Sequence, residues 1–231
     1  MRDEQLLYCQ KPIDEQLSWD TLLRREYRRF CYACSQQMIW INALHCSRCY
    51  RPQADSSVCL DCVRWEKSTY WSNKLSRNVS LLSYNNWAQD FVARFKFRRD
   101  VVLAKAFEQE LKRMYARNFN QHLIVPIPLS EKRMIERGFN QSEVIARCIR
   151  TNITDVLIRV IHEEKTSKKL RWQRVAGRSR PFEVTDRKSV MLKNVVLVDD
   201  IYTTGATVRK AATVLLEAGA TSVSSMTLFR S

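Results

Sequence analysis

The chain of 231 residues has few glycines, four in all, and it lacks long apolar runs. No stretch approaches the roughly 20 apolar residues that a membrane-spanning helix needs. The first residues, Met1-Arg2-Asp3-Glu4-Gln5, lack the apolar core of a signal peptide. Repeats other than the cysteine pairs and low-complexity tracts are also missing. We therefore expect a cytoplasmic protein without membrane insertion.

Acidic residues are also scarce relative to basic ones. The 24 Asp and Glu stand against 39 Lys and Arg, which gives a formal net charge of +15. Such an excess opposes compaction unless anions relieve it, so nucleic acid is the obvious partner. The apolar fraction of 45% is enough for a core, and the length admits one domain with a small module or two modest domains.

Cysteine is concentrated near the N-terminus, where seven of the eight cysteines precede position 63. Cys46/Cys49 and Cys59/Cys62 are pairs with the two-residue spacing of a zinc knuckle, and together they could complete a tetrahedral Zn²⁺ site. The polar, turn-rich segment between the pairs is typical of a zinc ribbon. Disulfides would need an oxidising compartment, and a thioredoxin-like redox pair would need a surrounding βαβ pattern that this region lacks.

Three further cysteines form a possible second metal site. Cys31 and Cys34 have the same two-residue spacing, and Cys9 could add a third thiolate. His45 precedes the first knuckle, and we interpret it as a neighbour rather than as a fourth ligand. Cys148 lies on the apolar side of the helix predicted over 141–150, so we expect a core residue there.

The most informative segment combines a strand, a loop and a helix. Val195 to Val198 predicts a strand buried on both faces, and it leads into Asp199 and Asp200. Apolar residues at helical spacing then predict a helix that ends near Gly219. A further strand is predicted from Val223 to Phe229. This order is a βαβ unit, in which ligands bind beyond the carboxyl ends of the strands.

The loop between this strand and helix suits a phosphorylated sugar. Thr203, Thr204 and Thr207 offer hydroxyl donors, Gly205 permits close approach, and the amides that open the helix favour an anion. The two carboxylates would repel a bare phosphate, so we expect them to accept from ribose hydroxyls or to hold Mg²⁺. A purely structural acid pair is the alternative. The loop is neither a Walker A loop nor a Gly-x-Gly-x-x-Gly loop.

The acid pair and the Thr-Thr-Gly-Ala-Thr loop resemble the phosphoribosyl pyrophosphate (PRPP) loop of the type I phosphoribosyltransferases. Val125 to Ser130, Arg137 to Gln141 and the cysteine pairs resemble the competence-protein branch of the ComF/GntX family. The resemblance runs from about Cys9 to the end of the chain. It implies that the acid pair contacts ribose hydroxyls and that the loop holds the 5′-phosphate. The PRPP-binding residues are then Asp199, Asp200, Thr203, Thr204, Gly205, Ala206 and Thr207.

The resemblance also assigns a pyrophosphate loop. It follows the strand predicted from Leu123 to Pro128, whose prolines suit a strand end. Asn140 is a suitable N-cap for the next helix. The candidate pyrophosphate-binding residues are Pro128, Leu129, Ser130, Lys132, Arg133 and Arg137.

A second strand, predicted from Val156 to Ile161, precedes a basic segment from Lys165 to Arg180 with seven basic residues and no acidic ones. The family places its flexible catalytic loop here, where a cationic flap could close over the departing pyrophosphate. Thr166 and Gln173 depart from the family pattern, and these departures weaken the inference of an enzymatic role more than the inference of a binding role. The same segment could grip single-stranded DNA, with Trp172 stacking on a base. The candidate catalytic and DNA-binding residues here are Lys168, Lys169, Arg171 and Arg174.

Residues from Tyr84 to Arg117 predict a helix with an apolar face and a basic remainder. Within it, Lys96-Phe97-Arg98-Arg99 alternates charge and aromatic residues, which suits a single strand that stacks its bases while its phosphates are neutralised. Lys96, Arg98 and Arg99 are therefore further DNA-binding candidates. A solvated basic helix face that covers the sheet is the alternative.

We predict an α/β fold with a mostly parallel sheet of about five strands flanked by helices. A zinc-ribbon-like module (1–65) precedes a phosphoribosyltransferase-like domain (66–231). Two functions remain open. The resemblance implies a competence accessory that binds incoming single-stranded DNA beside a ComFA-type helicase ATPase and uses its sugar-phosphate site for DNA ends or a regulatory ligand. The alternative is an active phosphoribosyltransferase that uses PRPP, Mg²⁺ and an unknown nitrogen nucleophile. No loop identifies such an acceptor, and an N-terminal Cys nucleophile is missing, which favours the first function.

Overall fold

The computed structural model describes residues 8–9, 29–41, 44–160 and 180–231. The strands are β1 (Asn78–Ser83), β2 (Leu123–Pro126), β3 (Leu157–Arg159), β4 (Phe182–Val184), β5 (Asn194–Tyr202) and β6 (Ser222–Arg230). The helices are α1 (Tyr32–Gln37), α2 (Leu60–Lys67), α3 (Asn86–Phe97), α4 (Glu108–Asn118), α5 (Glu131–Arg137), α6 (Gln141–Ile149), α7 (Arg187–Val190) and α8 (Ala206–Glu217). A 3₁₀ helix, Val101–Phe107, joins α3 to α4.

The main sheet has the strand order β1-β6-β5-β2, and all of its neighbouring strands are parallel. Strand β5, helix α8 and strand β6 form the predicted βαβ unit, with Asp199 of β5 opposite Thr227 of β6. The mostly parallel sheet with flanking helices is therefore confirmed, but among the described residues it has four strands instead of the predicted five or so. The two central strands are β6 and β5. The acid pair therefore lies on a strand that is hydrogen-bonded to a neighbour on each side.

Side chains of β5 alternate between two cores because successive residues of a strand point to opposite faces. Val196 and Val198 pack with the aromatic residues of α3 and the 3₁₀ helix, including Phe91. Val195 and Leu197 pack on the other face with α8, β4 and the four cysteines between positions 46 and 62. Helices therefore cover the sheet on both faces, and the four-cysteine group is part of one of these two cores.

Two secondary-structure predictions were wrong in detail. The single helix predicted from Tyr84 to Arg117 is divided into α3, the 3₁₀ helix and α4, and the break includes Arg99 at a φ of 57°. The strand predicted from Val156 to Ile161 is shortened to β3, which pairs antiparallel with β4 outside the main sheet. Strand β1 was not predicted from the sequence. This strand lacks the apolar pattern of a buried strand because its buried positions include the polar residues Asn78 and Ser80. The side chains of these two residues hydrogen-bond to each other, and Ser80 also bonds to Thr227 of β6.

Helix α2 crosses the predicted domain boundary at residues 65 and 66, and the division at that position stays a prediction. Among the residues that the structure describes, no helix combines the length and the apolar character needed to cross a bilayer.

Candidate functional site

The acid pair lies near the carboxyl end of β5. The hydroxyl of Ser142 on α6 donates to Oδ1 of Asp199 at 2.9 Å, and the backbone N–H of Asp200 donates to the same oxygen at 2.9 Å. Burial, together with the charge of Asp200, raises the pKa of Asp199 to about 7. Asp200 forms an ion pair with Lys96 of α3. The site therefore combines Asp199, whose pKa is close to 7, with Asp200, whose negative charge is balanced by the ammonium of Lys96.

The loop after β5 turns sharply at Gly205, whose φ is 81°. A Cβ at this position would lie 2.1 Å from the hydroxyl oxygen of Tyr202 and 2.5 Å from Nη1 of Arg209, so no other residue fits without movement. Thr203, Thr204 and Thr207 are exposed. The loop thus presents hydroxyls to solvent while the glycine allows Tyr202 and Arg209 to approach each other behind it.

The predicted pyrophosphate loop is largely helical. Ser130 caps α5 and accepts from the backbone N–H of Arg133 at 3.4 Å, and Gly138 ends the helix in the left-handed region. Arg137 donates to Oε1 of Gln141 at 2.8 Å. Among the described residues, Nε of Arg137 and Nε2 of Gln141 are buried without hydrogen-bond partners. Unpaired buried donors are uncommon in native proteins, so these two favour an anion or acceptor at this point. The other candidates of this segment, Pro128, Leu129 and Lys132, lie between β2 and the first turn of α5.

Two partly buried arginines, Arg137 and Arg159, lie within electrostatic reach of the acid pair. Burial lowers the pKa of Arg137, and Arg133 lowers it further, whereas Asp200 and Asp199 raise it. Burial likewise lowers the pKa of Arg159 on β3, with Arg133 acting in the same direction and Asp199 in the opposite one. Arg159 was not predicted as a site residue because it lies in a short strand, away from any recognisable motif. Its guanidinium lies 5.4 Å from the ring centroid of Phe182 on the paired strand, a partner that the sequence does not indicate.

The DNA-binding candidates at the C-terminal end of α3 fall into two groups. Lys96 is only 15% exposed and lies within the acid-pair site. Arg98 and Arg99 are exposed and line a cavity of about 530 Å³ with Arg94. Phe97 is 74% exposed. The remaining candidates, Lys168, Lys169, Arg171, Trp172 and Arg174, lie outside the described residues.

Four buried cysteines form a group that could hold a metal ion. The sulfur atoms of Cys46, Cys49, Cys59 and Cys62 all lie within 4.8 Å of one another. The Cys46–Cys62 and Cys49–Cys59 sulfur distances are 3.9 and 3.6 Å. Four thiolates about 2.3 Å from a tetrahedral Zn²⁺ would be separated by similar distances. The residues therefore fit a structural zinc ion, which would crosslink the turn at 46–49 to α2.

The arrangement differs from a zinc ribbon in one respect. The pair Cys46/Cys49 lies in a turn, as predicted, but Cys59 is the N-cap of α2 and Cys62 lies in its first turn. The pKa of Cys49 is lowered to about 4, chiefly because Cys62 donates a hydrogen bond to its sulfur, and Arg230 also lowers it.

The second cysteine group contains three residues. The sulfur atoms of Cys9, Cys31 and Cys34 also lie within 4.8 Å of one another, as the predicted second site requires. Burial raises the pKa of Cys34 to about 12.

The ring centroid of His45 lies 3.8 Å from that of Tyr50. Cys148 is buried, as predicted for a core cysteine.

Known proteins resemble the chain over its whole length. The family model for the phosphoribosyl transferase domain matches residues 137–231. Competence protein ComFC of Bacillus subtilis (strain 168) is 38% identical over 229 residues, which cover 97% of this chain and 94% of that protein. The chain belongs to the ComFC family. A second ComFC, from Streptococcus pneumoniae, is 31% identical over 230 residues, 97% of this chain and 99% of that protein.

More distant relatives of this ComFC family member have a different name. The DNA utilization protein YhgH of Escherichia coli (strain K12) is 27% identical over 211 residues, 84% of this chain and 86% of that protein. A solved structure described as the allosteric regulatory enzyme of purine biosynthesis gives a TM-score of 0.35 at 24% identity, over 53% of this chain and 25% of that one, which is too little to bear on the argument.

Proposed function

We propose that this protein serves DNA uptake in natural transformation by binding incoming single-stranded DNA in the cytoplasm. The names of its relatives, competence protein ComFC and DNA utilization protein YhgH, support a role in handling DNA. The observation that carries the proposal is the acid pair at the end of β5, with Lys96 paired to Asp200 and with the buried, unpaired Nε of Arg137 on the neighbouring helix α5. The charges of Asp200 and Asp199 act on Arg137, and that of Asp199 acts on Arg159. A site with several cations and two carboxyl groups suits a phosphorylated sugar, which is also the end of a DNA strand.

In this proposal the acid pair accepts hydrogen bonds from the ribose hydroxyls of PRPP, and the Thr203–Thr207 loop holds either the 5′-phosphate of PRPP or the 5′-phosphate of a DNA strand. Arg133, Arg137 and Arg159 hold a second phosphate group, either the pyrophosphate of PRPP or the next phosphate of a strand. Pairing with guanidinium groups suits phosphate oxygens because it provides charge-assisted, often bidentate, hydrogen bonds. When PRPP is bound, the carboxylate oxygens of Asp199 and Asp200 would hold Mg²⁺, which would supply positive charge to neutralise the pyrophosphate.

The bound DNA would continue over the C-terminal end of α3. The exposed ring of Phe97 provides a stacking surface for a base, and its neighbours Arg98 and Arg99 neutralise phosphates. The guanidinium of Arg137 lies 6.0 Å from the Phe97 ring centroid, so this surface adjoins the sugar-phosphate site. The basic segment with Lys168, Lys169, Arg171, Trp172 and Arg174 completes the DNA-binding set. A ComFA-type helicase ATPase would deliver the strand.

The second candidate is a Mg²⁺-dependent phosphoribosyltransferase that uses PRPP and an unknown acceptor. The phosphoribosyl transferase domain match over residues 137–231 favours it, as does the acid pair followed by a Thr-Thr-Gly loop. Both functions use the same site. They are distinguished by whether the protein binds a single-stranded oligonucleotide and whether it turns over PRPP.

The decisive experiment measures binding of a fluorescent single-stranded oligonucleotide by anisotropy, with PRPP and Mg²⁺ as competitors. We expect the Arg98→Ala/Arg99→Ala variant to bind the strand more weakly and to flatten the salt dependence by about 0.7 in a log–log plot for each phosphate that is no longer neutralised. Arg113→Ala/Arg117→Ala, which removes the same charge from exposed positions of α4, is the matched control and should retain binding.

Competition decides between the two functions. We expect PRPP to displace a 5′-phosphorylated oligonucleotide and to leave part of the binding of a 5′-hydroxyl oligonucleotide intact. If the protein binds no oligonucleotide but releases pyrophosphate from PRPP in the presence of an amine, the transferase is the function and the DNA-binding proposal is wrong.

A further inference from the structure

Arg230, the last residue of β6, lies between the four-cysteine group and the candidate phosphate loop. Its Nε donates to the carbonyl oxygen of Cys49 at 2.9 Å, and its Nη2 lies 3.2 Å from the sulfur of Cys49. On the other side, Nη1 donates to the carbonyl oxygens of Tyr202 at 3.2 Å and Thr203 at 3.0 Å. Arg230 is 2% exposed, so this side chain is fixed between the metal-binding group and the loop.

Trp65 makes a second connection. It lies on α2, one turn after Cys62, and its indole N–H donates to the carbonyl oxygen of Thr204 at 2.9 Å. The guanidinium of Arg209 lies 4.6 Å from the Trp65 ring centroid and donates to the hydroxyl of Tyr202 at 2.8 Å. Cys59 is the N-cap of α2 and Cys62 lies in its first turn, so the position of α2 depends on the geometry of the four-cysteine group.

Three backbone carbonyl groups of the loop are hydrogen-bonded to Arg230 or Trp65, and these bonds determine where the N–H groups of the loop point. Tyr202, Thr203 and Thr204 are consecutive, and their carbonyl oxygens all accept from Arg230 or Trp65. Peptide bonds are planar, and all those described here are trans, so each N–H points away from the carbonyl of the same peptide. The N–H groups of residues 203, 204 and 205 are therefore turned away from the four-cysteine group. Successive N–H groups of this kind form an anion-binding concavity.

We propose that the four-cysteine metal centre positions the anion-binding amides of the Thr203–Thr207 loop, and that Arg230 and Trp65 are the positioning residues through which it does so. The inference rests on the proposed function, because the loop is taken to bind a sugar phosphate. Metal binding and sugar-phosphate binding are then linked, and each strengthens the other by the same factor.

The linkage can be measured with ribose 5-phosphate, which carries the sugar and the phosphate without the metal-chelating pyrophosphate. Zinc affinity is determined by competition with a chromophoric chelator, with and without saturating ribose 5-phosphate, after correction for metal bound by the sugar phosphate alone. For the wild-type protein, we expect ribose 5-phosphate to tighten zinc binding. Equal zinc affinity with and without bound ribose 5-phosphate would overturn the inference.

Trp65→Phe tests the pathway because it keeps an aromatic ring beside Arg209 and removes only the N–H donor. We expect this variant to keep its zinc and its melting temperature, to bind ribose 5-phosphate about two- to tenfold more weakly, as for the removal of one hydrogen bond, and to lose most of the linkage. Trp40→Phe, at a partly exposed tryptophan that packs against Phe107, is the matched control and should behave as wild type. Arg230→Lys keeps the positive charge but removes the planar guanidinium, whose N–H donors contact Cys49 and the loop at the same time. We therefore expect it to weaken the linkage.

Hydrogen exchange separates the failure of this inference from the failure of the proposed function. We expect faster exchange of the amides of residues 203–206 in Trp65→Phe, and in wild type after partial zinc removal, whether or not ligand is present. If zinc-loaded wild type does not bind ribose 5-phosphate, the proposed function is wrong, and the exchange still decides the coupling. Unchanged exchange in both samples would contradict the positioning role.

Discussion

The ammonium of Lys96 pairs with Oδ2 of Asp200, and the two side chains are 15% and 11% exposed. Lys96 lies in the last turn of α3, and Asp200 lies near the end of β5. The pair therefore connects helix α3, which ends at the exposed Phe97, to the strand that carries the acid pair. A mostly buried lysine beside two adjacent carboxyl groups also explains how both acids are accommodated at one strand end.

A double-mutant cycle tests the strength of this pair. Lys96→Met and Asp200→Asn should each lower the free energy of unfolding by about 1–3 kcal/mol, because each leaves a buried polar partner unsatisfied. The double variant should lose clearly less than the sum of the two. Urea unfolding gives the values. The exposed pair Glu108–Lys112 on α4 is the control, with a coupling of only about 0.3–0.5 kcal/mol. Additive losses at Lys96 and Asp200 would contradict a buried ion pair.

The raised pKa of Asp199 predicts a pH dependence of stability. Its carboxyl group is protonated in the folded protein up to about pH 7 but ionises near its ordinary value when unfolded. The folded state therefore binds one more proton between these values, and stability falls as the pH rises from about 4 to 7, by at most about 1.4 kcal/mol per pH unit. Asp199→Asn should flatten this dependence in urea unfolding at several pH values. An unchanged difference between pH 5 and pH 7.5 would argue against a protonated Asp199.

Metal analysis tests the four-cysteine group. Purified protein should contain at least one zinc ion per chain, and Cys59→Ser should lose it and melt at a lower temperature, because small modules of this kind lack a large core of their own. Cys148→Ser makes the same chemical change at a buried cysteine outside both groups and should retain the zinc. A metal-free wild type with an unchanged melting curve would refute the zinc site.

The basic segment is tested by its effect on salt dependence. Replacing Lys168, Lys169, Arg171 and Arg174 with Ala should weaken single-stranded DNA binding and flatten the log–log salt slope, by roughly 0.7 for each phosphate that is no longer neutralised. Trp172→Ala should weaken binding with little change of slope, because stacking releases no counterions. Persistence of full DNA affinity after all five substitutions would assign the segment to catalysis instead.

Arg159 should distinguish ligands with and without a second phosphate group. Arg159→Ala should weaken PRPP binding by about 10- to 100-fold, as expected for the removal of a hydrogen bond to a charged group, and should affect ribose 5-phosphate much less. Isothermal titration calorimetry with both ligands measures the difference. Arg147→Ala, at an exposed arginine that pairs with Glu143 on α6, is the control. Equal losses for both ligands would place Arg159 at the 5′-phosphate or in the fold alone.

The local parts of the site were predictable from the sequence because each depends on neighbouring residues. The run Val195–Val198, the acid pair and the helix after Gly205 appear where the pattern predicts them. The two-residue spacing of Cys46/Cys49 and Cys59/Cys62 likewise predicts two pairs of thiolates, and the buried group of four confirms that they meet. Asn140 caps α6 as its position before the helix predicts.

Contacts between distant segments were decided only by the tertiary structure. The partners of Asp200, Phe182 and Cys49 are Lys96, Arg159 and Arg230, none of which is close in sequence. The polar strand β1 is stable at the sheet edge because β6 supplies hydrogen-bonding partners such as Thr227 for its buried side chains. Periodicity and motif spacing report the conformation of a short segment, whereas strand order and long-range pairing depend on which segments pack together. The sequence by itself therefore determined the chemistry of the loop and of the cysteine pairs, and packing determined which charges surround the loop.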